Sequence, residues 1–506
     1  MEIFFACAKL GAYATLINYA ASASELNAAL LSTSPKMLFT TLTTSRYDYI
    51  SMLNGLTDRF SSLEHIIILE DISGTPYHTS ERGFLSYQEL FHSSTSTATD
   101  MDKIERNVKC ASILNLQFTS GSTGSPKAAA LTHHGMVNSA RFIGIQMNLK
   151  PTDRIVIPVP LFHAFGLIIG VCTAFVHGAS AVLPSEYFDA GATLSAVDRF
   201  QCTGLYGVTT MFVDEMSHPL FTSTKRTSLR FGIMAGSAMH EELLNRVMTS
   251  FPIPELYTNW GMTELSSIAT MTVTDDSMEK MLKTAGKLLP HFEAKIVEPN
   301  TGRTLPWGQR GEIVVSGFGV MHSYYGNEIQ TRNTIRTHPE DLLPGQLGLD
   351  DNGCPRRWMH TGDEGYLDDD GYFVITGRIK DLIIRGGENI SPMEIEARLY
   401  EHPLVKQAVV FGVPSGRYGE EVAAMLELED KCVERPSDKE IKSWVRESLS
   451  RYKVPVHIWW LGDKGLGIPT EWPKTTNGKL RKADIRAIGE ALLRSCVAEK
   501  QLVPSL

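Results

Sequence analysis

Short apolar runs recur through the first half of the chain, at residues 66–69, 113–118, 154–159, 179–183 and 231–235. Several are apolar throughout rather than alternating, the pattern of strands covered by helices on both faces. The stretches between them can hold helices, for example residues 240–248, and together they predict an α/β domain with a largely parallel sheet. At the amino end Ile3, Cys7, Leu10 and Ala14 recur at helical spacing and predict a buried helix.

Between residues 292 and 375 the pattern changes to short alternating runs (293–297, 312–316, 372–376) separated by Gly- and Asp-rich turns, which predicts a smaller β unit. Residues 331–355 are rich in Pro, Gly, Asp and Asn and predict an exposed loop. A third pattern follows residue 381: a helix at 392–400, apolar runs at 408–413 and 422–428, a helix opened by Ser437 with Glu440 three residues on, and a run at 454–461. It predicts a compact α+β domain. The expected division is therefore 1–379, made of α/β subdomains (1–291) and a β unit (292–379), followed by 380–506.

Composition narrows the class. At 506 residues, 43% apolar and 21% charged, the chain is neither disordered, collagenous nor a coiled coil, and needs no disulfide or metal staple to fold. A net charge of −9, from 48 basic and 57 acidic residues, argues against a nucleic-acid surface. The seven cysteines (Cys7, Cys110, Cys172, Cys202, Cys354, Cys432, Cys496) form no C-x-x-C pair, which suits a reduced intracellular protein. Glu2 precedes the first apolar run and Lys9 interrupts it, unlike a signal peptide, and no segment has the length of a membrane span. The final Pro504-Ser505-Leu506 shares only its last residue with the peroxisomal signal, so a cytoplasmic location is expected, with the peroxisome as the alternative.

The most informative segment is Thr119-Ser120-Gly121-Ser122-Thr123-Gly124-Ser125-Pro126-Lys127, directly after a strand-like run. Glycines let backbone N–H groups turn toward an anion, hydroxyls add donors, and Lys127 supplies a positive charge, so the loop suits a polyphosphate. The same composition also suits a solvated flexible loop. It is not the loop G-x-x-x-x-G-K-[ST], because Pro126 stands in place of the second Gly.

With this loop, Pro160-Leu161-Phe162-His163, Asn259-Trp260-Gly261-Met262-Thr263-Glu264, Thr361-Gly362-Asp363, Gly377-Arg378-Ile379-Lys380-Asp381, Arg385-Gly386-Gly387-Glu388-Asn389 and Pro473-Lys474-Thr475-Thr476-Asn477-Gly478-Lys479 follow in order. The chain thereby resembles the adenylate-forming superfamily from about Glu2 to Lys482. Its texture is closest to the medium-chain fatty acyl-CoA synthetases and fungal acyl-CoA ligases of secondary metabolism. The resemblance implies an α/β fold of mostly parallel sheets, a β-barrel-like unit and a mobile carboxyl-terminal domain. It also implies a two-step reaction: a carboxylic acid and ATP give acyl-AMP and pyrophosphate, and CoA then displaces AMP.

Residue by residue, the resemblance makes Lys479 the lysine that bridges the substrate carboxylate and the phosphate, Glu264 the Mg²⁺ ligand, and Thr123 and Thr263 contacts to phosphate or metal. Residues 119–127, Gly236-Ser237-Ala238, 259–263, Asp363 and Arg378 would hold ATP or AMP. An ionised Asp363 suits ribose hydroxyls because it offers acceptors only. Trp260 stands where the family most often has Tyr. His163 would line the pocket near the acyl carboxylate, and the acyl chain would lie among Gly207, Val208, Thr209, Met211, Phe212 and Met234, residues that also suit plain core. Lys380 matches the hinge, and Gly386, Gly387, Glu388 and Asn389 the thiol channel.

Two departures from the pattern carry expectations. The family has several dozen residues before the helix that starts this chain, which implies a truncated amino-terminal subdomain, exposed apolar area and low stability. The 331–355 stretch is longer than in close relatives, which keeps a pantetheinylated carrier protein open as the acceptor in place of CoA. An inactive remnant is the third reading.

Overall fold

Three of the apolar runs, at 154–159, 179–183 and 231–235, supply strands to one five-stranded parallel sheet, in the order Glu255–Tyr257, Phe231–Ala235, Gly204–Val208, Arg154–Val156, Ser180–Val182. The structure is a computed structural model and describes residues 1–69, 83–88, 90, 98–119, 127–235, 241–338, 356–386, 388–430, 432, 434–474 and 480–502. Successive side chains on these strands alternate between two cores. Ile155, Tyr206, Phe231, Ile233 and Tyr257 enter one core, and Val156, Leu205, Met234 and Leu256 enter the other. The second core is closed by the helices Ala190–Phe200 and Glu241–Ser250 through Leu194, Val197, Leu244 and Val247. A smaller parallel sheet, Met37–Thr40, His65–Ile68 and Leu85–Ser86, packs on the helix Ala23–Thr33 around Leu26, Leu30 and Ile66.

Two expectations for the first half are corrected. The opening helix is Glu2–Leu10 and ends at Gly11 in a left-handed cap, so Ala14 lies outside it, and Phe4 is the residue it buries while Leu10 is exposed. Ala14 instead pairs its backbone beside Asn115. The run at 113–118 is the strand Ile113–Thr119, but it belongs to an antiparallel sheet with Lys127–Thr132 and Ser323–Tyr324 rather than to a parallel one. Its inward polar side chains Asn115 and Gln117 are fully buried and hydrogen-bond each other at 3.0 Å.

The β unit is an antiparallel sheet of Phe292–Val297, Gly311–Gly317, Trp358–Leu367, Phe373–Arg378 and Ile335–Arg336. The expected 331–355 loop is corrected at its start, where the helix Glu328–Thr334 and the strand Ile335–Arg336 carry the chain; residues 339–355 lie outside the described residues. The last sheet comprises Glu388–Ile390, Ile383–Arg385, Gly419–Leu428, Val405–Ser415 and His457–Trp460. Here Val410 and Ala424 pack toward the helices Pro392–Tyr400 and Asp438–Ser448, and Phe411 and Met425 toward the helix Lys482–Leu502. The helix Asp438–Ser448 opens on the reciprocal Ser437–Glu440 cap expected from the sequence.

Helix Thr209–Ser217 contains a conflict. Met211 packs on the first core and Phe212 enters the second, and Glu215, on the same buried face, has neither carboxylate oxygen hydrogen-bonded among the described residues. Burial pushes the Glu215 carboxyl well above the usual carboxylate range, and the Asp214 charge adds to this. A raised native pKa favours the neutral form, so this group's share of stability is present below the ordinary carboxyl range and is lost as pH rises through the raised value. Glu215→Leu is expected to be more stable than the parent by about 1–3 kcal/mol, with a larger gain at pH 9 than at pH 5. Calorimetric melts at the two pH values check this, and an equal or larger gain at low pH would contradict it.

Candidate active site

The carboxyl ends of the parallel strands lead into the segments that carry most of the singled-out residues, the expected place for a ligand in an open α/β sheet. Strand Arg154–Val156 leads to His163, whose Nδ1 accepts from the Phe165 N–H at 3.1 Å. This bond fixes the ring against the buried π-helix Phe165–Cys172. Gln117 donates its amide to the Phe162 carbonyl and ties the antiparallel sheet to the same segment. Strand Gly204–Val208 leads directly into helix Thr209–Ser217. Val208 and Met211 pack on the first core together with Ala235, which the sequence reading omits. Phe212 and Met234 are fully buried in the second core, on the other side of the sheet. Gly207 sits on that side too, where an added Cβ would come within 3.0 Å of the Phe212 ring.

After strand Glu255–Tyr257 the chain forms the short strand Asn259–Trp260, paired with Thr270–Met271. Gly261 passes so close to the returning chain that a Cβ there would lie 2.3 Å from Ile268 Cα. Only glycine fits this approach. Thr263 opens a short 3₁₀ turn, Thr263–Leu265, that buries Glu264. Tyr324 donates its hydroxyl to Glu264 Oε1 at 2.8 Å, and burial followed by the Glu264 charge holds the Tyr324 phenol well above its ordinary pKa. The Asn259 side-chain amide nitrogen is buried without a hydrogen-bond partner among the described residues.

Trp260 is buried, and its Nε1–H donates to Asp363 Oδ2 at 2.8 Å. Arg378, the direct cross-strand neighbour of Asp363, meets Oδ1 at 2.6 Å. Burial raises the Asp363 pKa, Arg378 and the Trp260 hydrogen bond oppose that rise, and the nearby Glu264 charge adds to it. The two bonds leave the remaining lone pairs of the carboxylate open to further donors. Around Asp363 the ladder is broken. Glu312 opposes Glu364 and Val314 opposes His360, so Ile313 alone faces the three residues Thr361, Gly362 and Asp363. Gly362 turns this bulge at φ +70°, where L side chains are strained.

Lys127 and Thr119 face each other at the base of the Ser/Gly-rich loop. Lys127 donates to Gln330 Oε1 at 3.2 Å and lies 5.1 Å from the Tyr324 ring centre, so it and Glu264 share Tyr324 as a neighbour. Lys380 lies exposed on the turn Ile379–Asp381, between strand Phe373–Arg378 and strand Ile383–Arg385. Gly386 adopts φ +61° and donates to the Tyr418 carbonyl at 2.8 Å, and Glu388 begins the next strand. Ser120, Gly121, Ser122, Thr123, Gly124, Ser125, Pro126, Gly236, Ser237, Ala238, Gly387 and Lys479 lie outside the described residues, as does the Asn389 side chain. Lys474 and Leu480, which bracket the Lys479 segment, pair their backbones.

The structure thus brings Trp260, Glu264, Asp363 and Arg378 together, with Lys127 linked through Tyr324. Sequence reasoning misses Tyr324, Gln330 and Glu312. No spacing rule marks them, because each reaches its partner only through the register of a sheet or the packing of a helix.

Comparison with known proteins places the chain in a family. The family described as AMP-binding enzyme matches residues 1–325, and its carboxyl-terminal domain matches residues 394–479. The acyl-CoA ligase sidI of Aspergillus fumigatus is 38% identical, across 99% of this chain and 82% of its own. The mitochondrial medium-chain acyl-CoA ligase ACSF2 of Danio rerio is 33% identical, across 95% of this chain and 76% of its own. Among solved structures, the anthranilate CoA ligase AuaEII in complex with anthranoyl-AMP superposes with a TM-score of 0.77 at 24% identity, covering 98% of this chain and 85% of that one, a likeness of fold. With the motifs, the fold and close relatives in agreement, the chain belongs to the AMP-binding enzyme family, the adenylate-forming ligases.

Proposed function

We propose that the chain is an AMP-forming acyl-CoA ligase: it joins an apolar carboxylic acid to the α-phosphate of ATP, releasing pyrophosphate, and then transfers the acyl group to the CoA thiol with release of AMP. The observation that carries this reading is the buried Trp260–Asp363 pair, capped by the exposed Arg378 and beside Glu264, at the carboxyl ends of the parallel strands. Relatives named acyl-CoA ligase and medium-chain acyl-CoA ligase span most of the chain.

The residues fit the nucleotide. The open lone pairs of Asp363 suit two ribose hydroxyls, Arg378 holds the carboxylate in place, and the unsatisfied Asn259 amide offers a buried donor. They also fit Mg²⁺. Tyr324 occupies Glu264 Oε1, which leaves Oε2 as a hard ligand, and Mg²⁺ keeps few protein ligands when it shares phosphate oxygens. Among the described residues no group of three or more His, Cys, Asp or Glu could hold a metal. When bound, the cation would spread the charge of the phosphate oxygens.

In this reading Lys479 places its charge between the two anions that must meet, the substrate carboxylate and the α-phosphate. Val208, Met211 and Ala235 border the acyl chain, and their apolar character favours aliphatic or aryl acids over amino acids. Phe212 and Met234 support that wall from behind. Lys380 is the hinge between residues 1–379 and 380–506, and Gly386, Gly387, Glu388 and Asn389 line the thiol path in the second step. Among the described residues no helix is long and apolar enough to cross a membrane.

A panel of carboxylic acids read by pyrophosphate release, with and without CoA, tests the function. Medium-chain acids should give the highest rates, with CoA-dependent AMP release. Loading of a pantetheinylated carrier with no response to free CoA would shift the acceptor to a protein, and silence across the panel would refute the activity. Lys479→Ala should lower adenylate formation by about a hundredfold or more while sparing thioester formation from supplied acyl-AMP; equal loss of both steps would contradict its role. Lys380→Pro should do the reverse, because proline fixes φ at the turn. A Lys380→Pro enzyme that makes thioester at the parent rate would remove the hinge assignment.

A further inference from the structure

The bulge that presents Asp363 cannot use the ladder with Gly311–Gly317 to satisfy its own backbone, and side chains take over on that side. Thr361 Oγ1 donates to the Ile313 carbonyl at 2.7 Å and accepts from the Asp363 N–H at 3.1 Å. Glu312 Oε1 accepts from the Gly362 N–H at 3.0 Å. The second oxygen of Glu312 lies 2.8 Å from His360 Nδ1, and His360 Nε2 lies 3.0 Å from His338 Nε2. Glu312, His338 and the His360 side chain are all nearly excluded from solvent, with relative exposures of 8%, 4% and 8%. In the tautomer whose Nδ1–H donates to Glu312, the His360 Nε2 accepts from the His338 Nε2–H, so the two contacts that link Glu312 to His338 are matched as donor and acceptor.

This chain joins parts of the site that lie apart in sequence. His338 follows strand Ile335–Arg336, which pairs with Met359 and Trp358, and that strand continues from the helix carrying Gln330, the partner of Lys127. His360 precedes the bulge by one residue, and Glu312 grips its glycine.

We infer that Glu312, His360 and His338 are positioning residues for the nucleotide: they touch no reacting atom, and they hold the Thr361-Gly362-Asp363 bulge at the height at which Asp363 meets the ribose. The inference rests on the proposed ribose role of Asp363. Removing the grip on Gly362 frees a half-buried N–H and lets the bulge relax toward the sheet, which lowers nucleotide affinity without touching the acid or thiol sites.

The test titrates the full chain with Mg²⁺ and a non-hydrolysable ATP analogue, the methylene group replacing the α,β-bridging oxygen, by calorimetry. Thermal melts are recorded beside it. Asp363→Ala sets the reference and should weaken binding by about tenfold or more. Glu312→Ala and His360→Ala should each weaken it by about tenfold, and His338→Ala by about threefold. Glu312→Gln should retain most of the affinity, because its amide oxygen still accepts from Gly362 and its NH₂ reaches His360. A purely structural role would lower the melting temperature and leave the affinity of the folded fraction alone. If Asp363→Ala weakens binding but the Glu312 and His360 variants bind as the parent does, the positioning chain is refuted and the ribose reading stands. If Asp363→Ala itself binds normally, both fall. Should Glu312→Ala and His360→Ala fail to fold, His338→Ala and Glu312→Gln decide: parental affinity in His338→Ala, or a loss in Glu312→Gln as large as in Asp363→Ala, overturns the inference.

Discussion

A carboxylate taken out of water must find its compensation within a few ångströms, and Asp363 draws it from two directions. Arg378 approaches from the adjacent strand of its own sheet, and Trp260 from the ribbon that follows the parallel sheet. The demand of one buried charge thereby fixes the β unit against the α/β body. Either donor alone would leave the charge under-compensated, so the spacing between the two sheets and the electrostatics of the site are one constraint. Glu264 tightens it, because a second carboxylate nearby raises the energy of the first and makes both donors more necessary.

The parallel sheet serves the same end by different means. Alternation along its strands divides side chains between two cores, and only one core borders the site. The position of Phe212 and Met234 on the far side follows from this period of two: Met234 adjoins Ala235, and neighbours on a strand cannot share a face. In the proposed reading, the wall beside an acyl group is therefore set by every second residue, with its shape supported from behind by the others.

Much of this was legible in the residues themselves. The strand Phe231–Ala235 and the helix Pro392–Tyr400 have the bounds their patterns predict, and Ser437 with Glu440 announces a cap that the fold makes. The order of the motifs alone marks the family. What stayed hidden is non-local. Asn115 and Gln117 look like the outward face of a strand but are buried against each other, so the run at 113–118 could not reveal its antiparallel partner. Glu312 and His360 are far apart in sequence and meet only through a bulged register. Gly11 ended the first helix earlier than hydrophobic spacing suggests, because a left-handed cap takes precedence over a continuing apolar face. Of the site residues, those in dense motifs were readable. Tyr324 was not, since a tyrosine earns its role here only from the carboxylate that packing sets beside it.

The bulge at Thr361-Gly362-Asp363 has a consequence for how this chain could change. One strand carries three residues where its partner carries one, so shortening it by two would restore an even ladder between Gly311–Gly317 and Trp358–Leu367. Such a chain would have a more regular sheet and no carboxylate to offer. The ladder with Gly311–Gly317 would not miss those residues, although Asp363 pairs with Arg378 on the other side, and a search for greater regularity on that ladder would tend to erase them. With Asp363 in its proposed role, activity in this scaffold is an irregularity maintained against the geometry that holds everything else together.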